Sequence, residues 1–224
     1  MSNLNVTTYD ASQPRGALLV LAHGAGAGQR HPFMTAVARG LAERGVDVVT
    51  FDFAYMQAKR KVPDKAPVLE ERFRAVIAAA RAGLKAGPYT PSDVGADLQV
   101  GPDRKLFIGG KSMGGRMATH LGAQGLEGLR GIVALGYPLH PPGRPDQPRT
   151  AHLPAIEVPV LIVQGERDTF GTPSELAPVI ATMRAPVTLH VVAGGDHSLG
   201  VRGRTPDETR APVLDAIAAW IYSV

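Results

Sequence analysis

Ser112 stands in the string Gly110-Lys111-Ser112-Met113-Gly114-Gly115, directly after the apolar run Lys105–Gly109 and ahead of a helical pattern. Gly-x-Ser-x-Gly between a buried strand and a helix puts a hydroxyl on a tight turn at the strand's C-terminal end. Such a turn strains the backbone and is crowded by its neighbours, and the small residues at 110, 114 and 115 relieve that crowding. The following helix points its N-terminus at the hydroxyl and favours developing negative charge. Of the seven serines in the chain, Ser112 alone occupies such a turn.

A serine nucleophile needs a base, and the base needs an orienting carboxylate. His197 follows the last apolar run in Gly194-Gly195-Asp196-His197-Ser198, where flanking glycines let a loop carry the imidazole to the serine. The run Val158–Gln164 leads into Gly165-Glu166-Arg167-Asp168-Thr169-Phe170-Gly171. Asp168 therefore lies just past a strand's C-terminal edge, where catalytic side chains converge. The chain order is nucleophile Ser112, acid Asp168, base His197, with Glu166 as the second choice of acid. Asp196 is disfavoured, because a sequence neighbour of His197 does not reach its Nδ1 from behind.

An oxyanion in this chemistry needs two backbone donors. Met113 N–H, next after the nucleophile, supplies one. The second is expected from the loop Ala22-His23-Gly24-Ala25-Gly26-Ala27-Gly28, at Ala25 and next at Gly26; its His-Gly opening resembles the oxyanion loop of lipases and esterases. His23 reads as a brace of that loop rather than a base. Two lookalikes fail. Gly110-Lys111-Ser112 mimics the end of a P-loop, but position 105 is Lys where that motif needs Gly. Gly24-x-Gly26-x-Gly28 mimics a dinucleotide fingerprint, but the third glycine position falls on Gln29 or His31. Asp52 then reads as a strand-end or loop-bracing carboxylate. No dense His/Asp cluster or His-Glu-x-x-His string suggests a metal, and no cofactor is expected. His140 and His152 read as solvated loop histidines that could also line a substrate mouth.

The elements that must position these residues alternate in kind. Gly16–Ala22, Val46–Phe53, Lys105–Gly109, Gly131–Gly136, Val158–Gln164 and Val187–Ala193 are short apolar runs bounded by Gly, Pro or Asp, the pattern of strands covered on both faces. Residues 3–9 suggest a further edge strand. Helical spacing marks Phe33–Arg44, Leu69–Leu84, Met117–Ala123, Glu175–Met183 and Pro206–Tyr222. The alternation predicts an α/β fold: a mostly parallel sheet of about six to seven strands with helices on both faces. Six prolines in Tyr137–Pro154 prevent a regular helix there and predict a loop over the site. At 224 residues the chain is expected to form one domain.

Composition excludes several classes. With 44% apolar and 20% charged residues the chain is neither disordered nor fibrous. The absence of cysteine removes disulfides, thiolate metal sites and a thiol nucleophile. The net charge of +4 is scattered, its one tight cluster being Lys59-Arg60-Lys61, and 5% aromatic residues leave little for base stacking, so no nucleic-acid partner is expected. The polar N-terminus is not a signal peptide and no run suits a membrane span, which predicts a cytoplasmic protein without a membrane partner, monomer or homodimer.

The strings LAHGAGAGQRHPFM, GGKSMGGRMA, GYPLHPPGRP, GERDTFG and GGDHSL resemble the α/β-hydrolase superfamily. They are most similar to its small, cap-less, dienelactone-hydrolase-like branch, which takes in a testis-expressed protein and a subunit of a chromatin-acetylating complex. The resemblance covers nearly the whole chain and implies a serine–aspartate–histidine hydrolase fold with Ser112, Asp168 and His197 at the matching motifs. Dienelactone hydrolases proper use a cysteine nucleophile, which this chain lacks. The expected activity is cleavage of a small-molecule ester through an acyl-enzyme, in an open site with Phe33, Tyr137, Leu139 and Phe170 as walls. The alternative is a weakly catalytic or inactive interaction module of the same fold.

Overall fold

In a computed structural model, which describes residues 4–83, 87–89 and 104–224, the apolar runs form strands because branched side chains pack on both faces of a pleated surface. In chain order the elements are β1 (Leu4–Tyr9), β2 (Ala17–Ala22), α1 (Pro32–Ala42), β3 (Val46–Phe51), α2 (Ala54–Gln57), α3 (Ala66–Arg81) and β4 (Gly87–Tyr89). There follow β5 (Lys105–Lys111), α4 (Met113–Ala123), β6 (Leu129–Leu135), β7 (Val160–Gly165), α5 (Pro173–Ile180), β8 (Val187–Val192) and α6 (Pro206–Ser223). Between β6 and β7 the only regular element is a single 3-10 turn, Leu153–Ala155, so this connection builds no helical cap.

The strands join in one sheet in the order β4-β1-β3-β2-β5-β6-β7-β8. β1 is antiparallel to both β3 and β4, and the other six strands are parallel. Residues 4–9 are therefore not the edge: Leu4 pairs with Tyr89, and the three-residue β4 lies outside them. Gly87-Pro88-Tyr89 is too short to show a period, and proline is tolerated in a strand at an edge. β2 shows the two-sided burial most plainly. Leu18, Val20 and Ala22 join the apolar cluster under α3, α4 and α5, while Ala17, Leu19 and Leu21 join the cluster under α1 and α6.

The helices begin where capping chemistry allows. Thr172 and Thr205 each cap a helix with a glutamate three residues on, Glu175 and Glu208, in reciprocal capping boxes. α4 starts at Met113, four residues ahead of the expected Met117. Position 114 holds glycine because the helix packs so closely on β2. A Cβ at Gly114 would lie 2.4 Å from the Ala22 carbonyl oxygen. The short α2 carries no periodic signal, and the expected end of α3 at Leu84 lies outside the described residues. No helix among the described residues is long and apolar enough to cross a membrane.

Candidate active site

The loops after β2, β5, β7 and β8 gather at the C-terminal edge of the parallel strands, the edge at which open α/β sheets bind ligands. Ser112 sits between β5 and α4 with φ 51° and ψ −115°, a conformation that costs a non-glycine residue on the order of 1–3 kcal/mol. The surroundings hold it there. Its N–H donates to the Leu135 carbonyl at 2.9 Å. A Cβ at Gly110 would stand 2.5 Å from both the Ala22 oxygen and the Gly114 carbonyl carbon, so the turn closes only on a glycine.

His197 Nε2 lies 2.9 Å from Ser112 Oγ, and its Nδ1 lies 2.8 and 3.0 Å from the two oxygens of Asp168. With Nδ1–H donated to the carboxylate, the Nε2 lone pair faces the serine hydroxyl. Asp168 is 1% exposed and accepts two further bonds, from Gln164 Nε2 and from Phe170 N–H, both at 2.8 Å. The Phe170 ring stacks on the imidazole, centroids 4.0 Å apart. Glu166, the second choice of acid, is exposed and accepts from Gly194 N–H at 2.7 Å. Asp196 accepts from the N–H groups of Ser198 and Gly200 and so shapes the histidine loop. The two loops are also tied directly, Arg167 N–H to the Gly195 carbonyl at 2.8 Å.

Lys111 belongs to this assembly and was legible only as half of a failed P-loop. Its Nζ donates to the His197 carbonyl at 2.5 Å. Burial pulls the ammonium down to about 8, against the attraction of Asp168 and Asp196. Gln164 was not singled out either. Fully buried, it also holds Tyr137 N–H at 2.8 Å and the Gly171 carbonyl at 2.7 Å. A lone amide at the end of an otherwise apolar strand was the available signal.

The loop after β2 is braced from beneath. Phe53 N–H donates to His23 Nε2 at 3.1 Å, so Nδ1 carries the proton it gives to the Gly24 carbonyl at 2.7 Å. Burial lowers the His23 pKa, which keeps the ring neutral in that role. Tyr55 Oη donates to the Ala25 carbonyl at 2.9 Å. Asp52 accepts from Gln29 N–H at 2.8 Å and from Asn5 Nδ2 at 2.9 Å, bracing the loop's far end.

These loops enclose a cavity of about 590 Å³ lined by Ala25, Phe33, Ser112, Met113, Phe170 and His197, with Arg116, Pro138 and Arg149 on a further wall. Tyr137 and Leu139 do not line it. At 1% and 5% exposed they are core residues, drawn inward because Tyr137 Oη donates to the Arg149 carbonyl and Leu139 packs in the cluster under α4. The loop histidines are paired within the fold, His152 remaining half-buried. His140 is buried, with Nδ1 against the Pro141 carbonyl and Nε2 3.3 Å from Glu175, and His152 pairs with Thr119 Oγ1 at 2.8 Å. Neither lines the cavity.

The sheet order, with a serine on the turn after its central strand, defines an α/β-hydrolase fold. The chain belongs to the alpha/beta hydrolase domain family, whose model matches residues 15–223. Among solved structures it is similar to an alpha-beta serine hydrolase homologue from Coxiella burnetii, at 15% identity and a TM-score of 0.68 over 97% of this chain and 89% of that one. It is also similar to a dienelactone hydrolase from Anabaena variabilis, at 18% identity and a TM-score of 0.63 over 98% and 97% of the two chains. A monoacylglycerol lipase from Paleococcus ferrophilus aligns at 15% identity and a TM-score of 0.70 over 100% and 99%.

Proposed function

We propose that the protein is a serine hydrolase that cleaves carboxylic esters through an acyl-enzyme. The observation that carries this reading is the continuous line from the buried Asp168 through His197 to Ser112, with bonds of 2.8 and 2.9 Å at a strained strand–helix turn. In this mechanism Ser112 Oγ attacks the acyl carbonyl as its proton passes to His197 Nε2. Asp168 holds the reacting tautomer and stabilises the imidazolium. The imidazolium then protonates the departing alcohol. Water, deprotonated by the same nitrogen, attacks the acyl-enzyme and frees the acid and Ser112.

The oxyanion is assigned to the N–H groups of Met113 and Ala25. Met113 opens α4, where the first N–H groups have no intrahelical partner. The carbonyls of Gly24 and Ala25 are held by His23 and Tyr55. A trans peptide sets its N–H opposite its carbonyl, which leaves the Ala25 N–H on the other side of the loop. The chain has no cysteine, so the nucleophile of this reading is the serine oxygen. Structural neighbours named for hydrolase and lipase activity support the reaction class.

A fluorophosphonate probe is expected to label Ser112, seen as an added mass on the peptide that contains it. Ser112→Ala should abolish labelling and lower the turnover of short p-nitrophenyl esters by about 10⁴-fold or more. An unlabelled wild-type protein together with unchanged ester turnover in Ser112→Ala would remove the nucleophile assignment.

A further inference from the structure

Arg116 and Arg149 face the same cavity as Ser112, and neither guanidinium has an ion pair or hydrogen bond among the described residues. Arg116 lies one helical turn beyond the nucleophile, its N–H donating to the Ser112 carbonyl at 3.0 Å. Its Nε is buried without a hydrogen-bond partner. Arg149 comes from a different element, the far end of the proline-rich segment. Its backbone is pinned there: N–H to the Leu139 carbonyl at 2.7 Å, carbonyl to Tyr137 Oη at 2.7 Å. The two elements therefore present two positive charges to one corner of the site.

Among the described residues no carboxylate is bonded to either guanidinium. Burial first, then the Arg116 charge, lowers the Arg149 guanidinium from its ordinary value. His152, behind the corner, is held neutral at about 3 by burial and by the charges of His120 and Arg116. Asp168 is committed to His197, Gln164 and Phe170, and Glu175 to Thr172 and His140. Glu70 is taken by His120 and Gln124. Unpaired like charges in a half-buried wall cost free energy, and an anion between them recovers it through charge-assisted, bidentate hydrogen bonds.

We infer that the Arg116–Arg149 corner is an anion-binding subsite, and that the ester cleaved at Ser112 carries a carboxylate or phosphate group that docks there. The second half of this inference rests on the hydrolase reading; the subsite does not. A neutral ester leaves both guanidiniums uncompensated, whereas an anionic one gains binding and is also oriented over Ser112. Arg suits the task better than Lys, because its planar fork matches either oxyanion.

The test uses matched esters on the full-length protein. One pair is p-nitrophenyl hexanoate and mono-p-nitrophenyl adipate; the other is monoacetylglycerol and its 3-phosphate. In at least one pair the anionic member should show a kcat/KM higher by about tenfold or more, and the pair that does so identifies the group. Arg116→Gln and Arg149→Gln should each lower the anionic-to-neutral ratio by about tenfold, chiefly through KM, while Arg116→Lys restores part of it. Thermal unfolding checks that each variant is folded. Equal or better cleavage of the neutral member in both pairs, or an unchanged ratio in the arginine variants, overturns the substrate inference. Calorimetry with adipate and with inorganic phosphate on Ser112→Ala reads the subsite without turnover. Binding that disappears in the arginine variants upholds the subsite even if no ester is cleaved, which would count against the hydrolase reading alone. Absence of binding by both anions overturns the subsite.

Discussion

Lys111 occupies the variable position just before the serine of the Gly-x-Ser-x-Gly turn, and its ammonium is turned back under the histidine loop to reach the His197 carbonyl. Burial lowers its pKa from 10.5 to about 8. The unfolded chain then binds more protons than the folded one between those two values. The contribution of Lys111 to stability is therefore full above about pH 10.5 and is lost as pH falls through about 8. Relative to Lys111→Met, which has no titrating group, the wild type should gain on the order of 3 kcal/mol of unfolding free energy between pH 7 and 11. Urea melts of both proteins across that range check it. Parallel stability curves would mean that the ammonium is as well solvated folded as unfolded.

At the scale of elements, the site depends on how closely α4 lies on the strands before it. The glycines of the turn are there for contact: at 114 a Cβ would meet the Ala22 oxygen at 2.4 Å and the His23 oxygen at 2.7 Å. Backbone atoms cannot swing aside as a side-chain end can. Gly114→Ala should therefore cost about 2 kcal/mol or more, the upper part of the range for overpacking. It should also lower ester turnover, since the displaced helix carries Met113. Denaturant titration and kinetics on one preparation would read both, and a variant as stable and active as wild type would show that α4 has slack against β2.

At the scale of the whole molecule, two cavities adjoin. The one at Ser112, about 590 Å³, and a second of about 450 Å³ under the histidine loop, lined also by Val37, Leu199 and Val213, share Phe33 and Ser198. Phe33, at the start of α1, therefore stands between them. Phe33→Ala should join the cavities and admit longer acyl chains, each newly buried methylene adding about 0.8 kcal/mol. With about two of octanoate's four extra methylenes entering the joined space, the ratio of kcat/KM for p-nitrophenyl octanoate over butyrate should rise roughly tenfold, a gain of about 1.4 kcal/mol. An unchanged ratio would show that the acyl chain runs elsewhere.

By itself the sequence determined the alternation of strands and helices and the place of Ser112 on a strand–helix turn. Both follow from patterns within about ten residues: branched apolar runs, helical spacing and glycines around a serine. What depends on long-range approach was decided only by the tertiary structure. Asp168 and Glu166 stand two positions apart on one turn, and it is the packing of that turn that buries Asp168 against His197 and sends Glu166 to Gly194. Tyr137 and Leu139 looked like walls and became core, because the proline-rich loop folds its first residues inward. β4 was invisible because its strand character comes from pairing with β1 rather than from its own three residues. Lys111, Gln164 and the Arg116–Arg149 corner have no local signature either. Each acquires its role from atoms far away in the chain, 86 residues away for Lys111 and the His197 carbonyl it holds.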